Sequence, residues 1–472
     1  MIIHVVERGE ALWQIASRYG VSVTQISELN ELPDPNRLAV GQALVVPTSD
    51  VTHTVKAGEA LWMIARRYGT SVEEITRLNQ IENPALIYPG MVLQIPANSH
   101  TIQPGETLWQ ISQRYGVTIP ALVEANQIQN PNVLYPGRVL TIPRRKPVIE
   151  TNAFTYHSDE TAVQLVSNVA EHLTYIATFA YVIQEDGSLQ NYMKDDTDAI
   201  QTGLAENALP MMSITNFTAT EAGENIAHAV LASPENRARL LTNILSVLRN
   251  KGYQGLNIDF ENVLPQDREL YNEFLQESVD ALHRAGFFVS TSLAPKISGE
   301  QKGLLYEAHD YPAHGRIADF IVLMTYEWGY RLGPPRAVSP LNEIKRVLDY
   351  AVTVIPRDKI LMGFQLYARD WIIPHVQGRE AETYSPQEAI ARATKYGATI
   401  QYDPVAASPF FYYTDEQGRQ HEVWFEDARS AQAKFDLIKD YNLRGVSYWV
   451  LGFAYPQNWV LLEDNFTIKK LM

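Results

Sequence analysis

A motif that occurs three times in the first third of the chain restricts most strongly what the protein can fold into. It reads Gly-Glu-Ala-Leu-Trp from Gly9 and Gly58, and Gly-Glu-Thr-Leu-Trp from Gly105, so the offsets are 49 and 47 residues. An asparagine, a second glycine and a proline recur at the same two offsets (Asn30, Asn79, Asn126; Gly41, Gly90, Gly137; Pro47, Pro96, Pro143). Residues that hold one register across three copies indicate tandem copies of one small folding unit.

Each copy has the residue pattern of a βααβ unit. In the second copy these are a strand (His53–Val55), a helix with Leu61, Trp62, Ile64, Ala65 and Tyr68, a helix with Val72, Ile75 and Leu78, and a strand (Val92–Ile95). We expect Asn79 to end the second helix as a residue that tolerates the left-handed conformation. A tryptophan within an apolar helical pattern is usually core, so we expect Trp13, Trp62 and Trp109 to be buried.

The three copies resemble the LysM module over residues 2–47, 52–96 and 100–143, and we place the modules at 1–48, 50–97 and 99–144. The resemblance implies binding of β-1,4-linked N-acetylglucosamine chains, as in peptidoglycan or chitin. The implied groove lies between the start of the first helix and the loop before the last strand. Its implied residues are Gly9, Glu10, Gly58, Glu59, Gly105 and Glu106. Three weak sites in tandem are expected to tether the protein to a polymer by avidity.

Composition narrows the possible partners. The chain has a formal net charge of −15, of which residues 1–143 contribute −3. Such acidity repels phosphate backbones and anionic lipids, so we expect no nucleic-acid or membrane partner. The absence of cysteine excludes disulfides, thiolate metal sites and a cysteine nucleophile. The first residues lack the pattern of a secretory signal peptide. We also expect the protein to be a monomer.

Residues 151–472 alternate between predicted strands and amphipathic helices. The predicted strands are Ala153–Tyr156, Tyr175–Tyr181, Pro210–Ile214, Gly255–Phe260, Phe287–Leu293, Phe320–Thr325, Ile360–Phe364 and Gly445–Trp449. Eight strands with intervening helices favour an α/β fold of the (β/α)8 TIM-barrel type over an open sheet. The interval between the last two strands is longer than a barrel connection needs. We therefore predict a small α+β insertion at about residues 368–425.

The fourth predicted strand carries the strongest chemical signal. Asn257, Asp259 and Glu261 alternate along it, so their side chains share the face that points to the barrel axis. Burying two carboxyl groups and an amide is costly unless they are hydrogen-bonded and functional. Because perturbed acids cluster at active sites, this run predicts a catalytic centre at the carboxyl ends of the strands.

The same run resembles the glycoside hydrolase family 18 signature Asp-Gly-x-Asp-x-Asp-x-Glu, with Gln254 and Asn257 replacing its first two aspartates. The resemblance implies that Glu261 donates the proton and that Asp259 orients the substrate's acetamido group. Met324-Thr325-Tyr326 resembles the strand-six motif, whose tyrosine assists catalysis, with Glu327 where aspartate is common. The residues implied to bind substrate are Asn257, Met324, Tyr367 and Trp449, the last as the floor of the −1 sugar site.

This resemblance implies a retaining, substrate-assisted mechanism, which the spacing of the acids supports. Asp259 lies two residues from Glu261 on one strand face, which places it badly to attack the anomeric carbon from behind. The attacking group is then the substrate's own acetamido oxygen. Asn257 cannot ionise, so we expect Asp259 to stay anionic. The histidines are scattered without metal-ligand spacing, so we expect no metal and no cofactor.

Three LysM copies before a family 18 barrel resemble the cortex-fragment-lytic N-acetylglucosaminidases of bacterial endospores. The preferred hypothesis is a glycosidase that cleaves after N-acetylglucosamine in spore cortex peptidoglycan and is located in the spore coat or cortex. A chitinase using the same residues is the second hypothesis. A catalytically silent lectin is the third, and the presence of Glu261 argues against it.

Overall fold

The computed structural model describes residues 1–48, 51–55, 58–68, 72–81, 83–95, 98–115, 117–143, 146–193, 195–218 and 222–471. Its contacts divide the chain into two compact units. The first comprises Met1–Leu38 and Ala43–Pro147, and the second comprises Ala39–Gln42 and Val148–Met472. No helix among the described residues is long and apolar enough to span a bilayer.

The first unit consists of three βααβ modules, as the repeats predict. Their elements are β1 (Ile2–Val5), α1 (Leu12–Tyr19), α2 (Val23–Leu29) and β2 (Ala43–Val46); β3 (Val51–Thr54), α3 (Leu61–Tyr68), α4 (Val72–Leu78) and β4 (Val92–Ile95); and β5 (Asn98–Thr101), α5 (Leu108–Tyr115), α6 (Ile119–Ala125) and β6 (Val139–Ile142). In each module the first and last strands pair antiparallel, with Ile2 opposite Val46 in the first.

The three repeated tryptophans are exposed, so the expectation of burial is wrong. The exposed fractions are 65% for Trp13, 57% for Trp62 and 62% for Trp109. The apolar stripe of α1 runs through Leu12, Ile15 and Ala16, which are three and four residues apart and fully packed in the module core. A residue one position after Leu12 is rotated by about 100° from that stripe. The helical period therefore directs each indole to the surface.

The repeated asparagines are hydrogen-bonding clamps and not left-handed caps. Asn30 has a φ of −103°, and positive φ values occur at the next residue of each copy (Glu31, Gln80, Gln127). The Nδ2 of Asn30 donates to the carbonyl oxygens of Ile26 and Val45, at 2.8 and 2.7 Å. Its Oδ1 accepts from the backbone N–H of Val45 at 2.7 Å. The side chain thus joins α2 to β2, and Asn79 and Asn126 make the same three bonds.

The second unit is a closed barrel with an insertion, which confirms the predicted fold class. Its strands are β7 (Val148–Thr155), β8 (Tyr175–Ile183), β9 (Leu189–Asn191), β10 (Leu209–Thr215), β11 (Gly255–Asp259), β12 (Phe288–Leu293), β13 (Phe320–Leu323), β14 (Ile360–Gln365), β15 (Ala368–Ile373), β16 (Glu382–Tyr384), β17 (Gln401–Asp403), β18 (Ser408–Thr414), β19 (Gln420–Trp424), β20 (Gly445–Trp449) and β21 (Thr467–Ile468). Eight parallel strands close the barrel in the order β7-β8-β10-β11-β12-β13-β14-β20, because β7 pairs with both β8 and β20.

Helices cover the outside of the barrel. They are α7 (Asp159–Ser167), α8 (Thr197–Ala205), α9 (Glu224–Leu231), α10 (Pro234–Lys251), α11 (Arg268–Arg284), α12 (Tyr311–Ile317), α13 (Leu341–Val354), α15 (Ala428–Tyr441) and α16 (Pro456–Asn465), while α14 (Pro386–Lys395) belongs to the insertion. Short 3-10 helices occur at Ala170–His172, Pro265–Asp267 and Arg357–Lys359. The insertion is a five-stranded antiparallel sheet, ordered β16-β15-β19-β18-β17, with α14 packed on it. All eight barrel strands lie where the sequence predicts them.

Candidate active site

The predicted acids lie at the carboxyl end of β11, inside the barrel mouth. Asp259 is the last residue of the strand and is 95% buried, whereas Glu261 follows it and is partly exposed. The Oδ1 of Asp259 is buried and has no hydrogen-bond partner among the described residues. A buried polar atom without a partner is costly in the free protein, so it marks a position that a substrate group can satisfy.

Burial controls the protonation of both acids. Desolvation, together with the negative charge of Glu327, raises the pKa of Glu261 to about 7. Desolvation, with the nearby charge of Glu261, raises the pKa of Asp259 well above its usual range. Glu261 is therefore protonated over a range that extends up to about neutral pH, far above that of an ordinary glutamate, as a general acid requires. We expect Asp259 to stay anionic because Asn257 carries no charge, but burial and the charge of Glu261 favour its protonated form.

The side chain of Asn216 holds the backbone of Glu261 from both sides. Its Oδ1 accepts from the backbone N–H of Glu261 at 2.8 Å, and its Nδ2 donates to the carbonyl oxygen of Glu261 at 2.7 Å. Asn216 directly follows β10 and is fully buried. Asn216 is not among the predicted site residues, and its only signal in the sequence is an amide immediately after the strand preceding β11.

A further carboxyl group near the acids is that of Glu327, in the segment after β13. Glu327 accepts hydrogen bonds from the hydroxyl of Tyr367 and from Arg369 Nη2, the latter at 2.7 Å. The guanidinium of Arg369 also lies over the ring of Tyr367, 4.6 Å from its centroid. The pKa of Tyr326 is raised by burial and then by the charges of Asp259, Glu261 and Glu327. These residues thus share one electrostatic environment, and neither Glu327 nor Arg369 was among the predicted site residues.

Trp449 ends β20 at the same mouth and is partly exposed. Its ring meets Phe154 at 5.5 Å and Phe179 at 4.8 Å between centroids, with the rings edge-on. This packing fixes an indole that stays partly exposed, which is compatible with the predicted floor of a sugar site. Met324 is 91% buried beside this mouth, so it offers little surface to a ligand.

Asn257 does not lie where a substrate could reach it. It is fully buried, and its Nδ2 donates to Ser213 Oγ at 3.3 Å and to Ser292 Oγ at 3.1 Å. Its Oδ1 accepts from Ser290 Oγ at 3.0 Å. The amide is therefore satisfied inside the barrel, one layer below Asp259. We correct its predicted role from substrate binding to linking β11 with β10 and β12.

The predicted LysM groove residues are of two kinds: glycines with free space beside them, and glutamates that contact buried histidines. Gly9, Gly58 and Gly105 have φ values of 80–85°, and a Cβ built on each meets no atom within 4 Å. The glutamates instead face buried histidines, with distances to the ring Nε2 of 2.9 Å (Glu10–His4), 2.6 Å (Glu59–His53) and 2.7 Å (Glu106–His100). These histidines recur at the offsets of the repeats, but the sequence analysis missed them. The carboxylates therefore shape the turn rather than line its surface.

One group of described residues outside this site has metal-ligand spacing, namely Glu171, His172 and Glu463. His172 precedes β8, so the group lies at the amino ends of the barrel strands, opposite to Glu261. The carboxyl groups of Asp259 and Glu261 do not belong to it.

Comparison with known proteins agrees with this geometry. The family model for glycosyl hydrolases family 18 matches residues 152–454. The chain belongs to glycosyl hydrolase family 18. The LysM domain model matches residues 4–47, 53–96 and 100–143. The protein is therefore a family 18 glycosidase with LysM domains, as the motifs predict.

Its similarity to individual proteins extends over both units. The cortical fragment-lytic enzyme of Bacillus subtilis (strain 168) is 46% identical over 475 residues, covering 100% of this chain and 99% of that protein. The crystal structure of the Bacillus megaterium QM B1551 spore cortex-lytic enzyme SleL matches at a TM-score of 0.78 and 36% identity, covering 100% of this chain and 99% of that one. A chitinase from Chromobacterium violaceum ATCC 12472 matches 67% of this chain and 99% of its own, at a TM-score of 0.62 and 26% identity.

Proposed function

We propose that this family 18 enzyme is a retaining, substrate-assisted glycosidase that cleaves β-1,4 bonds after N-acetylglucosamine in spore cortex peptidoglycan. The observation that carries the proposal is the pair formed by Glu261 and Asp259. The pKa of Glu261 is raised to about 7. Two residues earlier, the buried Oδ1 of Asp259 has no hydrogen-bond partner in the described part of the chain. A proton donor beside an unsatisfied carboxyl oxygen suits a substrate that brings its own amide.

In the first step Glu261 gives its proton to the leaving glycosidic oxygen while the acetamido carbonyl oxygen attacks the anomeric carbon. The bond to the leaving sugar breaks, and a cyclic oxazolinium ion forms. Asp259 accepts a hydrogen bond from the acetamido N–H, and the positive charge that develops there favours its ionised form. Tyr326 donates to the acetamido oxygen. Water then attacks the anomeric carbon, whose bond to the acetamido oxygen breaks and restores the acetamido group. Glu261 takes a proton from the water, and the configuration is retained.

The choice of peptidoglycan rests on the full-length relatives, which are named as cortex-lytic enzymes, and on the three LysM domains. We accordingly propose a spore or cell-wall location, a monomer tethered to the polymer, and turnover that needs no metal or cofactor. The chitinase hypothesis is supported by the Chromobacterium match, which covers 67% of this chain. The lectin hypothesis requires loss of the proton donor, whereas Glu261 is present with a raised pKa.

The test is side-by-side digestion of cortex fragments and chitin oligomers, with mass spectrometry of the products and NMR of the new anomeric centre. We expect preferred cleavage of cortex fragments, retention of configuration, and inhibition by a thiazoline mimic of the cyclised intermediate. Glu261→Gln should lower turnover by about 10²–10⁴-fold or more, because its amide cannot donate the proton, and should leave polymer binding intact. A glycosyl ester trapped on Asp259, or efficient hydrolysis of plain glucosides, would contradict the mechanism. Faster cleavage of chitin would favour the second hypothesis.

A further inference from the structure

The strongest unexplained feature outside the barrel is the set of exposed indoles Trp13, Trp62 and Trp109. Each is the second residue of the first helix of its module, and each is more than half exposed. Tryptophan carries the largest apolar surface of any residue, so leaving it in water is unfavourable unless something covers it. A single exposed tryptophan needs no explanation, but the same exposure at one register position in three modules does.

Among the described residues, the turn before each of these helices has an open glycine and a glutamate that contacts a buried histidine. A helical side chain leans toward the amino end of its helix, so the indole of Trp13 covers the turn at Gly9 and Glu10. A Cβ at Gly9 would meet no described atom within 4 Å, and Glu10 contacts His4, the backbone N–H of Glu7 and the exposed Arg18. The equivalent glycines are equally open, and Glu59 and Glu106 likewise face their histidines. Each module thus presents a flat aromatic face beside an open glycine turn.

The repetition of this face indicates what covers it. Three identical patches in tandem match a ligand that is itself repetitive, whereas a folded protein partner presents one unique surface. The net charge of −3 over residues 1–143 opposes attachment to an anionic membrane. The axial C–H groups of β-1,4-linked hexoses form apolar faces that stack on aromatic rings. A sugar polymer therefore fits both the number and the chemistry of the patches.

We propose that Trp13, Trp62 and Trp109 are stacking platforms that bind sugar rings of a β-1,4-linked N-acetylhexosamine polymer. These platforms lie beside the groove implied by the LysM resemblance and are additional to it. This inference rests on the proposed carbohydrate function of the modules. Because each contact is weak, the three platforms contribute together through avidity.

The test uses the full-length protein and its co-sedimentation with purified peptidoglycan sacculi. We expect each Trp→Gln change to weaken binding by about 2- to 10-fold, as for other aromatic contacts, and the triple change by roughly 100-fold. Met63→Gln is the matched control, because Met63 is the exposed neighbour of Trp62 and glutamine occupies its position in the other two modules. A triple Trp→Phe variant should retain most of the binding, since it keeps an aromatic face on the same backbone.

A second measurement reads the rings directly. Iodide should quench the exposed indoles of the wild type, and soluble N-acetylglucosamine hexamer should protect them. Turnover of short soluble fragments reports on the barrel independently, so the triple Trp→Gln variant should lose sacculus binding and keep that turnover. Sacculus binding within twofold of wild type in this variant would overturn the proposal, whatever the turnover. An equal loss in Met63→Gln would also overturn it, as would loss only of vesicle binding or of self-association.

Discussion

Glu327 shows how one side chain adjusts the chemistry of another. It has a φ of 67°, a left-handed conformation that residues other than glycine rarely adopt. Such backbone strain persists where surrounding contacts hold it, and here Tyr367 and Arg369 both donate to the carboxylate. Its negative charge is the second cause, after burial, of the raised pKa of Glu261. Glu327 therefore helps to keep the general acid protonated.

Replacing Glu327 with glutamine should shift the pH dependence of the reaction. Glu261 acts in its protonated form, so kcat/KM should fall as the pH rises through its pKa of about 7. Removing a neighbouring negative charge lowers that pKa, so the alkaline limb of the profile should move to lower pH. The measurement is the pH profile of kcat/KM on a soluble fragment, with Glu206→Gln, at an exposed position before β10, as control. An unchanged alkaline limb would show that Glu327 does not act on Glu261.

The variant Asn216→Ala tests whether catalysis requires the hydrogen bonds that hold the backbone of Glu261. Asn216→Ala removes both hydrogen bonds to that residue, and a displacement of the acid by about 1 Å can cost about 100-fold in rate. We expect kcat to fall by about 10- to 100-fold, with a much smaller change in KM. Steady-state kinetics measures this split, with circular dichroism as the check on folding. Equal changes in kcat and KM, or none, would remove Asn216 from the positioning of Glu261.

At the scale of elements, the repeated asparagines explain how modules this small keep their shape. Each module contains two short helices and two four-residue strands, which bury little apolar area. The clamp from Asn30 joins the end of α2 to β2 through three hydrogen bonds, and the clamp is the same in the other modules. Asparagine suits this position because one amide both donates and accepts.

Asn30→Ala should destabilise the first module by about 2–4 kcal/mol, because the buried N–H and carbonyl oxygen of Val45 lose the side chain that bonds both of them. The carbonyl oxygen of Ile26 keeps the backbone N–H of residue 30. Hydrogen exchange of the β2 amides reports this locally, and exchange in the barrel strands should not change. Asn36→Ala is the control, since Asn36 is exposed and bonds only within its own turn. Equal exchange in both variants would argue against the clamp.

At the scale of the whole molecule, we propose that the LysM modules bind the polymer and that the barrel carries out the chemistry. Removing residues 1–143 should leave turnover of small soluble fragments within about twofold of wild type, because all the catalytic groups lie in the barrel. The same deletion should weaken attachment to insoluble sacculi, since the modules raise the local concentration of enzyme on the polymer. Pull-down and soluble-fragment kinetics on the two proteins measure both effects. Equal pull-down of the two proteins would contradict a tethering role.

The sequence pattern alone predicts those structural features that depend on the spacing of residues along the chain. The repeat offsets predicted the modules, the alternation of strands and helices predicted the barrel, and the two-residue period placed Asp259 and Glu261 on one face. The helical period also predicts that Trp13 is exposed, because it lies off the apolar stripe formed by Leu12 and Ile15. The residue type alone suggests burial, and that expectation is wrong.

Other properties arise between residues that are distant in sequence. Asn216 meets Glu261 across 45 positions, and Arg369 reaches Glu327 across 42. Asn257 shares a strand face with Asp259, yet neighbouring serines from β10 and β12 satisfy it one layer deeper. Burial, partner charges and hydrogen bonds across strands depend on how the barrel closes. The pKa of Glu261 depends on this closure, because it is raised by burial inside the barrel and by the charge of Glu327 from another strand's loop.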